Sequence, residues 1–504
     1  MHKKKVVIIG AGVGGVATAI RLAKSGHQVS IYEAAAFTGG KCRTEWIGDY
    51  AFDTGPSLLT LPAVYRDLFL KTGKRIEHIL KLTPVDPAFA YHFADGTELT
   101  FPNLSIPAIC KSIDQTLGKA AGDQWHNLMQ RAEQMWDVSR GPFIESELLG
   151  IPSLLKRKGF LSDLRKISPF TSLRALTKKY TSDPYLTAII DRYATYTGSD
   201  PRKVPAVLLT IAFVEATFGA WHIEGGIGGL AQALESRARE LGVEIHLNTE
   251  VATICHDSKR ATGIELHNGE IVLADEVVAN ADAELVYNKL LDKNLKVVNS
   301  ERRKLRQAPK SLAGFSLLLG LDNSKITSPA PIMQHHNVYF PANYEQEFDE
   351  IFKDRVPVSD PTIYICAPSD SAMTKGPNKE AWFVLVNAPR HEPGVGYDWS
   401  ANPAEYAQRI IHKLDSLGLH VSERLEVMEF RTPLDLQNSV AAPGGSIYGT
   451  SSNGSRAAFL RAKNRSPLKN LYCVGGSAHP GGGLPLVGLS AEIVANAISG
   501  DEKH

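Results

Sequence analysis

The chain has 504 residues, is 43% hydrophobic and 22% charged, and carries a formal net charge of +1. At roughly 150 residues per domain this predicts two to four lobes around a large core, and it excludes a disordered chain or a collagen-like fibre. Near-neutrality gives no reason to expect nucleic-acid binding. The longest apolar runs, such as 206–214 with Thr210 inside it, fall far short of the ~20 residues of a spanning helix. Cys42, Cys110, Cys255, Cys366 and Cys473 are widely spread and lack C-x-x-C spacing, so neither a disulfide framework nor a metal site is expected. A reducing cytoplasm is the expected compartment. The apolar run 6–9 after Lys3-Lys4-Lys5 is too short for a secretory signal.

Lys5–Ile9 reads as a buried parallel strand stopped by glycine. Gly10-Ala11-Gly12-Val13-Gly14-Gly15 follows, with G-x-G-x-x-G at 10, 12 and 15, and Val16, Ala19, Ile20 and Ala23 then recur at helical spacing. A second strand, Gln28–Tyr32, ends at Glu33. Strand, glycine loop, helix and strand in this order predict a dinucleotide site. Gly10 permits the tight turn, Gly12 lets backbone approach a pyrophosphate, and Gly15 lets the helix pack on the strand. The helix N-terminus, with Gly14 in its first turn, faces the phosphate charge, and Glu33 can accept hydrogen bonds from ribose hydroxyls. Gly39-Gly40-Lys41-Cys42-Arg43 then supplies cations for a second neutralisation of the pyrophosphate, and Gly55-Pro56-Ser57 offers another small-residue loop, which favours FAD over NAD.

The segment 151–180 departs from the neutral average. Lys156, Arg157, Lys158, Arg165, Lys166, Arg174, Lys178 and Lys179 stand against Asp163 alone, a local +7 that leaves −6 for the remainder. Leucines, phenylalanines and Ile167 interleave with these cations, as expected of basic amphipathic helices lying on an anionic bilayer or, equally, of a solvated helical face. Further on, 191–198 leads into the apolar run 205–214, with Glu215 and Phe218-Gly219-Ala220-Trp221 behind it. Glu215 can take or hold a proton, or serve as a buried structural carboxylate paired with an arginine.

Gly225-Gly226-Ile227-Gly228-Gly229-Leu230 opens a helix. Strands are expected at 243–247, then antiparallel at 250–255, 262–267 and 270–273, and again at Glu276–Ala279 before Asn280-Ala281-Asp282. Near the end, a strand at 471–474 precedes Gly475-Gly476-Ser477-Ala478-His479-Pro480-Gly481-Gly482-Gly483, and a helix is expected from about 489 to 498. The two glycine clusters let a flat ring approach the backbone, and helix N–H groups near Val487 can stabilise negative charge on a reduced flavin. His479 is a second acid–base candidate, or a satisfied core histidine.

Gly10–Gly15, Glu33, Gly39–Arg43 and Phe52-Asp53-Thr54-Gly55-Pro56-Ser57-Leu58-Leu59 resemble the phytoene (carotenoid) desaturase family of flavoenzymes, within a wider amine-oxidase-like group. Glu215-x-x-x-Gly219-x-Trp221 and Gly475-x-x-x-His479-Pro480-Gly481-x-Gly483 also match that family, with Leu486 where related chains often have glycine. The resemblance implies an α/β fold: a Rossmann-like FAD-binding domain assembled from three chain segments, 1–75, 225–290 and 425–504. An α+β substrate domain with a helical membrane-facing region, from 76–224 and 291–424, would complete it. It implies backbone contact between Val251 and the adenine, and desaturation of a carotenoid or related polyisoprenoid, with quinone or oxygen as electron acceptor. It also implies a cytoplasmic protein peripherally attached to the membrane through 151–180. The same scaffold could isomerise a carotenoid, saturate a retinoid, oxidise an amine or porphyrinogen, or act as a non-catalytic prenyl-binding escort.

Overall fold

Apolar, β-branched runs buried on both faces build the first sheet. The computed structural model describes residues 3–148 and 160–500. Lys5–Ile9 lies at the centre of five parallel strands, between Gln28–Tyr32 and Glu276–Ala279, with Glu244–His246 and Leu471–Cys473 at the edges. Val6, Val7, Ile8, Val277 and Val278 are fully buried, which is why these strands read as unbroken apolar runs. The helices Val13–Lys24, Gly228–Glu240 and Leu484–Ser499 cover one face. The antiparallel strands Val251–His256, Ala261–Leu266 and Ile271–Leu273 contribute to the core on the other. The last helix starts at Leu484, earlier than expected, because Pro485 sits in its first turn, where a missing N–H costs nothing.

A second sheet has seven strands, ordered Leu425–Arg431, Ala313–Asp322, Lys379–Ala388, Ile363–Cys366, His336–Tyr339, Phe89–His92 and Glu98–Phe101. All neighbours are antiparallel except His336–Tyr339 with Phe89–His92. Leu317, Leu319 and Leu321 pack beneath the helix Pro403–Ser416, whereas Leu318 points the other way, as the period of two requires. At the far end, the helices Ile106–Leu117, Lys119–Ser139, Pro184–Thr195 and Thr210–Phe218 form an aromatic-rich core with Phe89, Tyr91 and Phe101. The hairpin Thr44–Ile47/Tyr50–Asp53 joins the two lobes: Tyr50 and Phe52 pack on Leu318 and Phe383.

Three expectations are corrected. Leu291, Leu295, Val298 and Leu305 pack into the core of the nucleotide lobe, so the start of 291–424 does not belong to the second lobe. Leu425–Arg431 hydrogen-bonds to Ala313–Asp322, so the chain leaves the second sheet only after 431 rather than at 425. Within 151–180, residues 151–159 lie outside the described residues, and Arg174 does not face solvent: it pairs with the buried Asp191, Nε to Oδ2 2.5 Å, and with Glu345. No helix among the described residues is long and apolar enough to cross a membrane.

A Cβ at Gly15 would lie 2.3 Å from the Gly10 carbonyl oxygen, closer than any repacking can relieve. Gly15→Ala is expected to cost the apoprotein about 1–3 kcal/mol by overpacking and to lower flavin occupancy. Urea denaturation at unchanged midpoint, with full occupancy, would contradict this account of the loop.

Candidate functional site

The glycine loop sits where the central strand ends. Gly10 adopts φ +91° and donates its N–H to the Tyr32 carbonyl at 2.8 Å. The helix Val13–Lys24 begins on Gly12, with no side-chain cap and no acidic residue in its first turn, so its N-terminal N–H groups are left for a ligand. The last helix begins equally bare on Gly483. The two starts meet: a Cβ on Gly14 would be 3.2 Å from both the Gly475 Cα and a Val487 methyl. Asn280 stands between them, its amide Nδ2 donating to the Gly10 carbonyl at 3.3 Å and its side chain against Gly12, Gly14 and Gly475. Sequence reasoning assigned Asn280 no role; its place at the end of Glu276–Ala279 was the available signal.

Glu33 caps the second strand with both oxygens engaged. Oε2 accepts from Ala11 N at 2.6 Å and Oε1 from Ala35 N at 2.8 Å, which leaves lone pairs for further donors. Thr249 N donates to the Glu33 carbonyl at 2.7 Å, bringing the start of the strand at Val251 to the same end of the loop. The 39–40 turn lies on the glycine loop: Gly39 N donates to Ala11 O at 2.8 Å, and a Cβ on Gly40 would be 3.4 Å from Gly12 Cα.

Lys41 next to it is half-buried, and its Nζ donates to Ile447 O at 2.8 Å. Burial pushes its pKa down, partly offset by the Asp282 charge. Arg43 takes another direction, pairing with Glu45 at 3.0 Å and stacking 3.6 Å over Phe37. A cation not foreseen from sequence, Arg461, is buried instead and donates to the Gly476, Tyr448 and Thr450 carbonyls at 2.8, 3.1 and 2.7 Å. Burial pushes its pKa down to about 10.

The remaining loops converge on the same space. Gly55 must be glycine, because a Cβ would fall 1.8 Å from the Lys41 carbonyl. Asp53 accepts from the Thr44 hydroxyl at 2.6 Å and from Ile227 N at 2.9 Å, fastening the hairpin to the turn at 225–230. Pro56 and Ser57 follow, with Ser57 Oγ 2.8 Å from the Tyr364 hydroxyl. Gly476 approaches Gly482, where a Cβ would meet Cα at 3.6 Å.

Glu215 lies in the second lobe and is 4% exposed. It accepts from Tyr193 at 2.6 Å and from Tyr196 at 3.1 Å, while Arg192 donates to the Tyr196 hydroxyl at 2.7 Å. Burial pushes its carboxyl up, against the pull of Arg192. His479 is 5% exposed, with Nε2 3.0 Å from the Ser146 carbonyl, and burial pushes its pKa down to about 4.

Two uncapped helix N-termini with an acidic strand end alongside are the class of arrangement that suits a dinucleotide. The residues present fit FAD: uncapped N–H groups suit a diphosphate, Glu33 keeps lone pairs for ribose hydroxyls, and glycines at 475, 476 and 481–483 leave backbone open to a flat ring.

Residues 13–311 match the family described as flavin containing amine oxidoreductase. A 4,4'-diapolycopene oxygenase of Methylomonas sp is 32% identical across 99% of this chain and 98% of its own length. A zeta-carotene-forming phytoene desaturase of Myxococcus xanthus is 31% identical across 98% of this chain and 94% of its own length. The crystal structure of an oxidoreductase from Methanosarcina mazei superposes with a TM-score of 0.65 at 18% identity, covering 97% of this chain and 99% of that one, which establishes the fold. The chain therefore belongs to the flavin containing amine oxidoreductase family and, within it, to the phytoene and carotenoid desaturase group. It is an FAD-dependent oxidoreductase.

The buried imidazole of His479 sets a pH dependence. Its pKa of about 4 in the folded protein lies below the unfolded value near 6.5. The unfolded chain therefore binds the extra proton first, and stability present above pH ~6.5 is lost as pH falls through the folded pKa. Urea denaturation should show His479→Gln losing less stability than the parent between those values. An identical acid slope in both would refute the assignment.

Proposed function

We propose that the protein desaturates a carotenoid or related polyisoprenoid. The observation that carries this reading is likeness to carotenoid-modifying enzymes along the whole chain, second lobe included, rather than over the nucleotide lobe alone. Leu208, Ile211, Val214 and Phe218 support it: they pack on the core of the second lobe yet keep accessible apolar surface at helical spacing, as a wall for a polyene requires.

FAD, when bound, accepts the hydride that an allylic carbon gives up. Gly10, Gly12, Gly14, Gly15, Gly40 and Lys41 would hold its diphosphate, and Glu33 its ribose, with Val251 against the adenine. Gly55, Pro56, Ser57, Gly475, Gly476 and Val487 would shape the ring slot and exclude water from it. Arg43, held at 3.0 Å by Glu45, would add its positive charge to the neutralisation of the diphosphate. The proton lost beside the hydride would pass through the Tyr196 hydroxyl to Glu215. His479 orients the terminal loop, since its Nε2 is engaged by Ser146 and it is neutral at pH 7. Electrons would leave to a quinone or oxygen.

A relative named as an oxygenase favours one second reading, oxygen insertion at the polyene end. Expression in hosts accumulating single carotenoid precursors tests both. Products that have lost hydrogen pairs, with a red-shifted spectrum, support desaturation; products that only gain oxygen support the alternative. Unchanged pigment with every precursor would sink both.

We further propose that the region around Phe170 rests on an anionic membrane surface. Phe170 is 87% exposed, among exposed Arg165, Lys166, Lys178 and Lys179. Flotation with vesicles containing anionic lipid should capture the protein, and Phe170→Asp combined with Lys178→Glu should release it. Equal capture of the two proteins, or none of either, would rule the surface out.

A further inference from the structure

The helix Lys119–Ser139 carries a polar stripe on its outer side. Asn127, Gln130, Arg131 and Gln134 follow the i, i+3, i+4, i+7 spacing of one helical face. On the inward side Leu128, Met129, Ala132 and Met135 pack into the core of the second lobe with Phe213 and Ala216. The stripe meets Lys179 and Tyr180, just beyond the helix Leu173–Thr177, around a cleft of about 340 Å³. That volume falls in the range of small-ligand sites, ~300–1,000 Å³. Two cations, three side-chain amides and a phenol line it, and Asp123, Glu133 and Asp137 of the same helix take no part in the lining.

The positive charge of this cleft is uncompensated. Arginines nearby in the lobe are spent: Arg174 pairs with Asp191, and Arg202 with Asp200 and Asp349. Asp183, three residues beyond Tyr180, caps the helix Pro184–Thr195 by accepting from Tyr185 N and Leu186 N. Arg131 and Lys179 have no carboxylate partner among the described residues. Arg131 is nevertheless fixed: Nη2 donates to Lys166 O, and to Ser168 Oγ at 3.0 Å, which leaves its other N–H groups for a ligand. A guanidinium already held in place loses little freedom on binding and offers several donors to a tetrahedral oxyanion. Gln130 is steadied as well, its Nε2 lying 3.0 Å from His126 Nε2. With no carboxylate in the lining to receive an ammonium, the cleft suits a headgroup that is anionic rather than zwitterionic.

The bond from Arg131 to Ser168 also sets the cleft beside the turn that carries Phe170, with Lys166 and Lys178 exposed in the same segment. A free phosphate in an open cleft with two cations is weakly held, because salt screens exposed charges. A phosphate carried by a bilayer is present at high effective concentration, and an apolar side chain next to it enters the acyl boundary. The placement favours a phosphate anchored in lipid over a soluble one.

We propose that this cleft is a binding site for the phosphate headgroup of an anionic phospholipid, with Arg131 and Lys179 on the phosphate and Asn127, Gln130 and Gln134 on the headgroup hydroxyls. This rests on the membrane surface proposed above and deepens it, from diffuse attraction to one stoichiometric site. Calorimetric titration of the FAD-loaded protein tests it with dihexanoyl-phosphatidylglycerol, kept below its micelle concentration, and with inorganic phosphate. Saturable one-to-one binding of the lipid is expected, about tenfold or more tighter than phosphate. Lys179→Gln should weaken it about tenfold, as the loss of a charge-assisted hydrogen bond predicts, and Gln134→Glu, which sets a carboxylate against the phosphate, at least as much. Both side chains are exposed, and flavin content with thermal midpoint checks that the variants fold; if Gln134→Glu lowers the midpoint, Lys179→Gln decides alone. Equal affinity for lipid and phosphate, lost together in the variants, assigns the cleft to free phosphate and overturns the lipid assignment. Binding that the variants leave unchanged, or no binding of either ligand, overturns the site itself. Vesicle capture that persists without monomeric lipid binding defeats the cleft and leaves the membrane surface standing. Lipid binding weakened by the variants, with no vesicle capture of the parent, keeps the cleft and fails the surface.

Discussion

Everything in the nucleotide lobe depends on how closely backbone packs around Asn280. The glycine loop, the end of Glu276–Ala279 and the loop after Leu471–Cys473 come from three distant stretches of chain, yet a Cβ at Gly10, Gly12, Gly14 or Gly475 would press on Asn280 at 2.7–2.9 Å. Only glycine permits that approach, and only that approach brings two uncapped helix starts together. Two helix starts held this close bring their positive ends to one place, which favours an anion there. The parallel sheet supplies the rigidity, because its central strands are buried on both faces and cannot slip register without exposing a full apolar row.

The second lobe is built on a different constraint. Its antiparallel sheet alternates side chains between a helix-covered face and the inter-lobe hairpin, and Tyr50 locks the two together against Gly320, where a Cβ would lie 2.6 Å from the ring. Thr210–Phe218 keeps Ile211, Val214 and Phe218 partly exposed, while its Glu215 turns inward to the Tyr193 and Tyr196 hydroxyls. A low dielectric strengthens each of those polar contacts and makes each unmade one expensive.

Much of the nucleotide lobe was legible because its signals are local. Lys5–Ile9, Gln28–Tyr32 and Glu276–Ala279 run over the residues their apolar patterns predict, and the turn residues around 225–230 and 475–483 mark backbone that a ligand or neighbouring strand approaches. Cation placement was less legible. Arg43 and Arg174 read as available charge, but each has a carboxylate partner, Glu45 next but one in sequence and Asp191 a helix away. Arg461, with no motif around it, is the cation that gathers the terminal loops, and only the folded path of 448–476 reveals it.

The amino-acid sequence by itself determined the glycine loop between strand and helix, the acidic strand end and the glycine-rich terminal turn, because each is a short-range device whose residue types follow from local backbone geometry. Tertiary structure alone decided where Leu425–Arg431 belongs, which cations are spent in ion pairs, and how Ser57 comes to meet Tyr364. Those outcomes depend on strand order and on partners hundreds of residues apart, and no local period or motif encodes the distance between them.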